Sequence, residues 1–313
     1  MLFSEPFPEP FPEPSAALRQ CLMDCYPQAE AWLANWQLHL ATLCERWTLH
    51  DLRWVPDLSY HPVFFVEPCG VLKLFPPGPA AAQEIAALQG YHPAHACAVR
   101  ASDPGLAAVL LERLTPGVPL KAMVVSDDAK ATTIAAELMH KLWSASAQLT
   151  PEQKALFTPL TVWMGAFERL RDRFQGGTGP FDAAVIARAE AFYQEVQGMT
   201  DTVLLHGDLH HGNILSCERR GYRAIDPKGL WGDAAYEVGS FLANPASFLQ
   251  SAMHDGTLKS ILERRIAILS EVLGLPRPVI TRWAYIYAVL SACWSFEDHG
   301  APDAFALNLA TYF

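Results

Sequence analysis

Basic residues are scarce in this chain. It carries 23 Lys and Arg against 33 Asp and Glu over 313 residues, which leaves a formal net charge of -10. No Lys- or Arg-rich run is present, so the sequence lacks the electrostatic footprint of a nucleic-acid-binding protein. We therefore expect no nucleic acid among its partners.

Long apolar runs and the residue pattern expected of a secretory leader are also lacking. No hydrophobic stretch reaches the roughly 18 residues of a membrane-spanning helix, and the first basic residue, Arg19, comes too late for the positive start of a signal peptide. The seven cysteines are odd in number, scattered, and include no C-x-x-C pair, so they are expected to be reduced thiols. These absences predict a cytoplasmic protein with no membrane partner.

The chain does have a globular composition, 51% hydrophobic and 18% charged, and its length predicts two domains or lobes. Prolines alternate through residues 5–14, which favours polyproline II, and residues 1–14 are expected to be an exposed Pro-rich tail rather than a ligand docked in a groove. The Pro- and Gly-containing segment 114–119 predicts a hinge or linker. It separates an N-terminal lobe with a helical extension, residues 15–113, from a helical C-terminal lobe, residues 120–313.

Hydrophobic periodicity predicts an α+β fold with a small β-rich N-terminal lobe and a larger, mostly helical C-terminal lobe. The elements expected in the first lobe are a helical region over 15–48, a hairpin of 63–66 and 71–74, a helix over 80–90, and strands over 96–100 and 107–111. Those expected in the second lobe are helices over 131–148, 160–174, 181–196, 235–248, 258–273 and 279–296, with one β-rich island over 203–225.

The β-rich island carries three oxygen-bearing side chains in a kinase-like order. An apolar strand ends just before Asp208, a hairpin of 214–217 and 222–225 follows, and Asp226 comes directly after it. Asp208 and Asn213 have the spacing of the kinase catalytic loop, and Asp226 stands where kinases place a metal-binding Asp. The pattern predicts phosphoryl transfer, in which Asp208 orients the acceptor hydroxyl while Asn213 and Asp226 bind Mg²⁺ with the phosphates of ATP.

The same residues admit other interpretations. Taken singly, Asp208 is compatible with a turn or helix-cap carboxylate, and Asn213 with a turn residue. His206, His210 and His211 could form a zinc cluster, but they lack the helical H-E-x-x-H arrangement and leave the hairpin unexplained. His206 is instead expected to brace the loop by packing and hydrogen bonding.

Two runs of the island resemble a known family. They are His206-Gly-Asp208-Leu-His-His-Gly-Asn213 and Ile225-Asp226-Pro. Both are similar to the aminoglycoside phosphotransferases. The chain from Asp226 to Gly239, together with residues 110–117, most resembles one branch of that family, the streptomycin phosphotransferases and hydroxyurea-resistance kinases. The resemblance implies a two-lobed, protein-kinase-like fold and an enzyme that uses ATP and Mg²⁺ to phosphorylate a hydroxyl of a small molecule. The implied acceptor is a streptomycin-like aminoglycoside or a hydroxyurea-type antibiotic.

The resemblance also assigns roles outside the two runs. The strand lysine that contacts ATP phosphates corresponds to Lys73, and its helix partner to Glu84, the only acidic residue of its predicted helix. The adenine is expected near the backbone of Glu112 and Leu114. In the family the region of Asp233 braces the catalytic loop, although a plain helix N-cap explains that residue equally well.

The sequence gives weaker signals for the phosphate-covering loop and for the acceptor site. No G-x-G-x-x-G is present, and residues 59–66 stand where such a loop would lie. The acceptor is expected near Trp294, Glu297 and Asp298, because carboxylates beside an aromatic ring suit a polar cationic ring. The alternatives are a kinase of an endogenous amino-sugar or amino-alcohol, and a nucleotide-binding pseudokinase. No obligate protein partner is expected.

Overall fold

The computed structural model describes residues 11–55, 61–68, 70–218 and 221–313. The chain divides into two compact units. The first contains the described residues up to Gln89 together with Cys97–Leu114, and the second contains Gly90–Ala96 and Thr115–Phe313. Residues 1–10 of the expected tail, and 59 and 60 of the expected phosphate-covering segment, lie outside the described part. Among the described helices, none combines the length and the apolarity that crossing a membrane requires.

The first unit is built from a helical region and an antiparallel sheet. Its helices are α1 (Ala16–Cys25), α2 (Ala29–Ala34), α3 (Trp36–Trp47) and α4 (Ala80–Gly90). Its strands are β1 (His50–Trp54), β2 (Val63–Glu67), β3 (Gly70–Leu74), β4 (Val99–Asp103) and β5 (Ala108–Glu112), in the sheet order β1-β2-β3-β5-β4. The predicted hairpin and α4 are confirmed, whereas the strand predicted over 96–100 begins three residues later.

The core of the first unit joins the helical region to the sheet. Alternate residues of β2 are buried, and Phe64 packs near Trp36 of α3, with ring centroids 5.9 Å apart. Phe11 belongs to the same cluster and is 6% exposed, and Pro14 is also buried. For these two residues the prediction of an exposed tail is wrong, because the apolar side chains of the segment find a surface to bury against.

The second unit is mostly helical. Its α-helices are α5 (Val124–Ser144), α6 (Pro151–Lys154), α7 (Leu160–Met164), α8 (Ala166–Arg173), α9 (Ala183–Val196), α10 (Glu237–Leu242), α11 (Ala246–His254), α12 (Leu258–Leu273), α13 (Arg277–His299) and α14 (Ala304–Ala310). Short 3-10 helices cover Leu120–Ala122, Ala145–Gln148 and Ala234–Tyr236. Its strands are β6 (Pro116–Pro119), β7 (Thr158–Pro159), β8 (Thr202–Leu205), β9 (Ile214–Cys217), β10 (Gly221–Ala224) and β11 (Leu230–Asp233).

Two small sheets position the β-rich island within this unit. β9 and β10 form the predicted antiparallel hairpin, and β6 joins them in the order β10-β9-β6. Residues 116–119 of the expected linker are therefore a strand. The other sheet has the order β7-β11-β8 and includes β11, which the sequence reading missed. β11 pairs with β8 in antiparallel register, so that Leu230 faces Leu205 where the catalytic-loop segment begins.

Two of the predicted helices are interrupted. The helix expected over 160–174 is split at Gly165 into α7 and α8, and the one expected over 235–248 is split between α10 and α11. Pro245 lies at the second break, where the lack of a backbone N–H prevents a continuous helical hydrogen-bond ladder. α13 is the longest helix of the described chain and is buried along most of its length.

Candidate active site

Asp208 lies on the loop that follows β8 in the second unit. Its side chain is 28% exposed, so the carboxylate is partly open to solvent. Ser240 of α10 donates a hydrogen bond from Oγ to Asp208 Oδ1 at 3.3 Å. Burial raises the pKa of Tyr287, with the nearby Asp208 charge acting in the same direction, so this phenol is neutral at physiological pH. The Asp208 carboxylate is therefore oriented by the hydroxyl group of Ser240 and has the neutral phenol of Tyr287 nearby.

His206 fixes the start of the loop. The side chain is fully buried, its Nε2 donates to the carbonyl of Ile225 at 2.8 Å, and its Nδ1 accepts from the backbone N–H of Asp208 at 3.3 Å. Burial lowers its pKa to about 3, which keeps the imidazole neutral and gives one donor and one acceptor nitrogen. The predicted bracing role of His206 matches these contacts: the ring ties the loop to the chain just before Asp226.

Glu237 holds the same loop because its side chain binds backbone N–H groups of the loop. Its carboxylate accepts from the N–H of His206 at 2.7 Å and from the N–H of Gly207 at 2.9 Å, and the residue is 1% exposed. Burial raises its pKa to about 7, although the backbone hydrogen bonds favour the charged form. The sequence reading missed this residue, and the available signal was an acidic side chain inside the apolar start of a helix.

Asp233 does not cap the helix that follows it. Its carboxylate accepts hydrogen bonds from the backbone N–H of Gly198 and from the Thr200 hydroxyl, and no side-chain cap bond is formed. Asp233 thus anchors the turn before β8, while the direct hydrogen bonds to the loop come from Glu237. The expectation of a helix N-cap is therefore wrong, and the side chain of this region that bonds to the loop is that of Glu237.

Gly207 is required by the backbone of the loop. Its φ of +83° lies in the left-handed region, and an added Cβ would lie 3.0 Å from the side chain of Leu230 and 3.1 Å from that of Lys228. A residue with a side chain would be strained here and would also crowd β11. This gives a physical reason for glycine immediately before Asp208.

Asn213 and Asp226 lie next to each other at the open end of the hairpin that β9 and β10 form. The backbone N–H of Ile225 donates to the carbonyl of Asn213 at 3.0 Å, which brings the residue after Ile225 beside Asn213. The Asn213 amide donates from Nδ2 to the carbonyl of Asp208 at 2.9 Å, so its Oδ1 is the atom that can bind a cation. One amide oxygen and one carboxylate are hard oxygen donors, a set that fits Mg²⁺ when phosphates complete the coordination.

Lys73 and Glu84 form a buried ion pair in the first unit. The Lys73 Nζ lies 2.6 Å from Glu84 Oε2, and the side chains are 5% and 7% exposed. Lys73 is on β3 and Glu84 is on α4, and the ammonium also lies 4.9 Å from the centre of the Phe75 ring. The helix therefore fixes the position of the strand lysine, as the arrangement of a phosphate-binding lysine requires.

Glu112 and Leu114 lie at the end of the first unit. Glu112 is the last residue of β5; its Oε1 accepts from the N–H of Ala98 at 3.0 Å, and its backbone N–H donates to the carbonyl of Ala98 at 2.9 Å. Leu114 is buried. The side chain of Glu112 thus holds the start of β4 in place, which is a role that the sequence did not predict.

Comparison with known proteins identifies the family to which these motifs belong. A family model described as aminoglycoside/hydroxyurea antibiotic resistance kinase matches residues 67–300, more than half of the chain. The chain belongs to this kinase family. The family resemblance predicted from the sequence is confirmed.

Individual relatives agree with the family assignment. A streptomycin 6-kinase of Streptomyces glaucescens is 30% identical over 209 residues, which cover 66% of this chain and 65% of that protein. A hydroxyurea phosphotransferase of Kitasatospora aureofaciens is 30% identical over 227 residues, which cover 72% of this chain and 62% of that protein. The chain thus spans less than two thirds of the length of either relative.

A solved structure shows the fold of this kinase family member. The streptomycin-ATP-APH(2")-IIa ternary complex is similar with a TM-score of 0.57 at 11% identity, over 88% of this chain and 97% of that one. The predicted α+β, protein-kinase-like fold, with a small sheet-containing unit and a larger helical one, is confirmed.

The three residues expected to bind the acceptor have different surroundings in this family member. Trp294 of α13 lies in a row of aromatic rings, 5.1 Å from Trp163 and 6.0 Å from Tyr287 between ring centroids. Glu297 accepts two hydrogen bonds from Arg169, at 2.8 and 3.0 Å, and Asp298 is exposed. Trp294 thus lies beside Tyr287, which is a neighbour of Asp208, whereas the charge of Glu297 is already balanced by Arg169.

The three histidines of the loop around Asp208 do not form a zinc cluster. Both nitrogens of His206 are engaged, and the buried His211 ring stacks on Phe241 with centroids 4.0 Å apart. His210 accepts a hydrogen bond from the N–H of Gly212 at its Nδ1. Within the described ranges, no group of three or more His, Cys, Asp or Glu side chains is placed to bind a metal ion.

Replacing Glu237 with Gln is expected to destabilise the protein in a pH-dependent way. The amide places an NH₂ donor against one of the two backbone N–H groups, which should cost about 1–3 kcal/mol of unfolding free energy. The pKa of Glu237 is about 7 in the folded state against an ordinary 4.5, so between these pH values the folded wild type keeps a proton that the unfolded chain loses. Binding of this proton stabilises the folded wild type. That stabilisation is lost as pH rises from 4.5 to about 7. The advantage of the wild type over Glu237→Gln should therefore shrink over this range, by up to about 3 kcal/mol.

Urea unfolding at several pH values between 4.5 and 8 measures this difference. The exposed Glu137 of α5 offers a matched control, since Glu137→Gln removes an acidic group from solvent. A difference between wild type and Glu237→Gln that stays constant over this pH range would show that Glu237 does not bind the proton in the folded state.

Proposed function

We propose that this family member is a phosphotransferase that uses ATP and Mg²⁺ to phosphorylate a hydroxyl group of a small molecule. The observation that carries the proposal is the loop of Asp208: a partly exposed carboxylate is oriented by Ser240, and its backbone is fixed by His206 and Glu237. Such rigid positioning is what phosphoryl transfer demands of a protein, because little covalent chemistry is left for it to do.

Each residue of the site is given a role that follows from the chemistry of its side chain. Asp208 orients the acceptor hydroxyl and receives its proton, while Asn213 and Asp226 hold Mg²⁺ through oxygen atoms. Bound Mg²⁺ offsets charge on the phosphate oxygens. In the first unit, Lys73 contacts the phosphates of the nucleotide and is held in position by Glu84.

The proposed roles of Glu112 and Leu114 concern the base of the nucleotide. Their segment supplies backbone groups to the adenine, and the hydrogen bonds of Glu112 to Ala98 keep the end of β5 in place. A role that uses backbone atoms sets no demand on the side chain of Leu114, whereas the side chain of Glu112 is needed to hold the start of β4.

The proposed acceptor is an antibiotic of the streptomycin or hydroxyurea class. The named activities of the two relatives, a streptomycin kinase and a hydroxyurea phosphotransferase, support this class. Trp294 is proposed to contact the acceptor, with Glu297 and Asp298 at the edge of its site. Because Arg169 already balances Glu297, Asp298 is the stronger candidate for attracting a cationic acceptor. We propose a cytoplasmic location and no nucleic-acid or membrane partner.

The proposed metal ligand Asp226 can be tested by nucleotide binding. With Mg²⁺ present, calorimetry should detect one ATP per chain, and Asp226→Ala should weaken this binding by about 10-fold or more because a negative oxygen ligand is lost. Removal of Mg²⁺ with EDTA should weaken binding to the wild type and change binding to Asp226→Ala much less.

Two further measurements make this test specific. Asp201 is exposed and lies just before β8, so Asp201→Ala removes the same charge from the same unit and should leave ATP binding unchanged. ATP consumption should then be followed with streptomycin, hydroxyurea and simple amino-sugars as acceptors. Absence of ATP binding, or equal binding by wild type and Asp226→Ala, would remove the basis for the nucleotide assignment.

A further inference from the structure

The described part of the N-terminal segment, residues 11–14, is bound to the helical region of the first unit. Phe11 is buried in the core cluster and Pro14 is buried as well, while Glu13 between them is exposed. Alternation of a buried aromatic residue, an exposed acid and a buried proline is how an extended ligand presents one face to a surface. The binding surface on the protein side consists of Arg19 of α1 with Trp36 and Gln37 of α3, and is called the α3 surface below.

Gln37 recognises the backbone of this segment. Its Oε1 accepts from the N–H of Phe11 at 2.8 Å, and its Nε2 donates to the carbonyl of Phe11 at 3.0 Å. The same Nε2 also donates to Glu13 Oε1 at 2.7 Å. Both amide protons and the amide oxygen of Gln37 are therefore directed at the segment, which is the pattern of a dedicated recognition residue.

Trp36 and Arg19 complete the contacts. The indole Nε1 of Trp36 donates to the carbonyl of Pro12 at 3.1 Å, and Arg19 donates to Glu13 Oε2 at 3.1 Å. Aromatic residues that line a groove and donate to backbone carbonyls are the general means by which proteins bind proline-rich chains, because such chains are extended before they bind. The arginine adds a preference for an acidic residue two positions after the aromatic one.

The sequence contains more than one copy of the bound motif. Residues 7–10 read Phe-Pro-Glu-Pro, the same four residues as 11–14, and residues 3–6 differ only by Ser in the second position. We propose that the α3 surface is a binding site for Phe-Pro-Glu-Pro peptides, which the chain's own residues 11–14 occupy and which the same motif from a second copy of this chain can occupy in exchange. This binding site is independent of the proposed phosphotransferase activity.

Peptide binding to the full chain tests the proposal. The probe is a fluorescein-labelled peptide that copies residues 9–15, followed by fluorescence anisotropy. In a chain carrying Phe7→Ala and Phe11→Ala, the chain's own segment loses its buried anchor, and the peptide should bind saturably. The unmodified chain should bind it at least about 10-fold more weakly, because its site is already occupied.

Substitutions in the α3 surface give the specificity control. Adding Gln37→Ala to the Phe7→Ala, Phe11→Ala chain removes three hydrogen bonds to the ligand and should weaken peptide binding by about 10-fold or more. Gln20→Ala is the matched control, because Gln20 lies exposed on α1 and is bonded to Asp24. A folded Phe7→Ala, Phe11→Ala chain that does not bind the peptide, or that binds it equally well with Gln37→Ala, overturns the proposal.

A measurement on the unmodified chain keeps the proposal testable if the substituted chain does not fold. Hydrogen exchange of the Phe11 amide reports directly on its bond to Gln37. Excess unlabelled peptide should accelerate this exchange, because the displaced segment becomes accessible to solvent, and a peptide with Ala in place of Phe should have no effect. Exchange that stays unchanged at millimolar peptide overturns the proposed replacement by a second copy.

Discussion

Replacing Asp208 with Asn should lower kcat by 10²-fold or more, on the order expected for loss of a positioned acid or base, while the affinity for ATP stays nearly unchanged. The reason lies in the surroundings of Asp208. Its carboxylate is oriented by Ser240, whereas Asn213 donates to the backbone carbonyl of Asp208 and not to the carboxylate, so the carboxylate is proposed to act on the acceptor rather than on the nucleotide. Steady-state kinetics with the best acceptor found, combined with ATP calorimetry, measures both quantities.

Two companion variants sharpen this result. Ser240→Ala keeps the carboxylate but removes its orienting hydroxyl, and should lower kcat by less than Asp208→Asn does, without a change in ATP affinity. Asp201→Asn, at an exposed position of the same unit, should leave kcat unchanged. Full turnover by Asp208→Asn would contradict the catalytic assignment and favour the interpretation of the motif as a nucleotide-binding pseudokinase.

Breaking the Lys73 and Glu84 pair should affect both stability and nucleotide use. Because both side chains are buried, Glu84→Leu leaves an ammonium without its compensating charge and should reduce the unfolding free energy by about 3–5 kcal/mol. The double variant Lys73→Met, Glu84→Leu replaces the pair with apolar side chains and should recover most of that stability. Neither variant should use ATP efficiently, since the cation for the phosphates is lost or displaced.

The double variant separates a structural role from a functional one. Chemical denaturation gives the stability of each variant, and the KM for ATP gives its nucleotide use. The exposed pair of Lys141 and Glu137 on α5 provides a control, because Glu137→Leu should change the unfolding free energy by about 1 kcal/mol or less. A stable double variant with an unchanged KM for ATP would show that the buried pair serves the fold alone.

Local patterns in the sequence were sufficient to predict several elements of the site. The spacing of Asp208 and Asn213 and the hairpin before Asp226 are features of short segments, whereas the roles of Lys73 and Glu84 were implied by the family resemblance. Hairpins and amphipathic helices are set by the period of their apolar residues and by turn residues nearby, so their positions can be inferred without knowing the fold. The family resemblance rested on the same short runs.

Other parts of the site depended on contacts between distant segments. Glu237 binds the backbone of a residue 31 positions earlier, and Ser240 binds Asp208 from 32 positions away. The sequence assigned neither residue a role in the site, because a serine or an acidic residue in a helix is usually solvated. For the same reason Asp233 was expected to cap a helix, although the tertiary structure directs its carboxylate to Gly198 and Thr200.

The sequence by itself determined the order of the chemical groups: the strand lysine, the loop aspartate, the asparagine and the aspartate after the hairpin. The tertiary structure decided how those groups are held, and also that Phe11 is buried against a helix whose Gln37 lies 26 residues away. The physical reason is that secondary structure follows from local periodicity, whereas burial and hydrogen bonding of a polar or terminal group depend on which distant surface meets it.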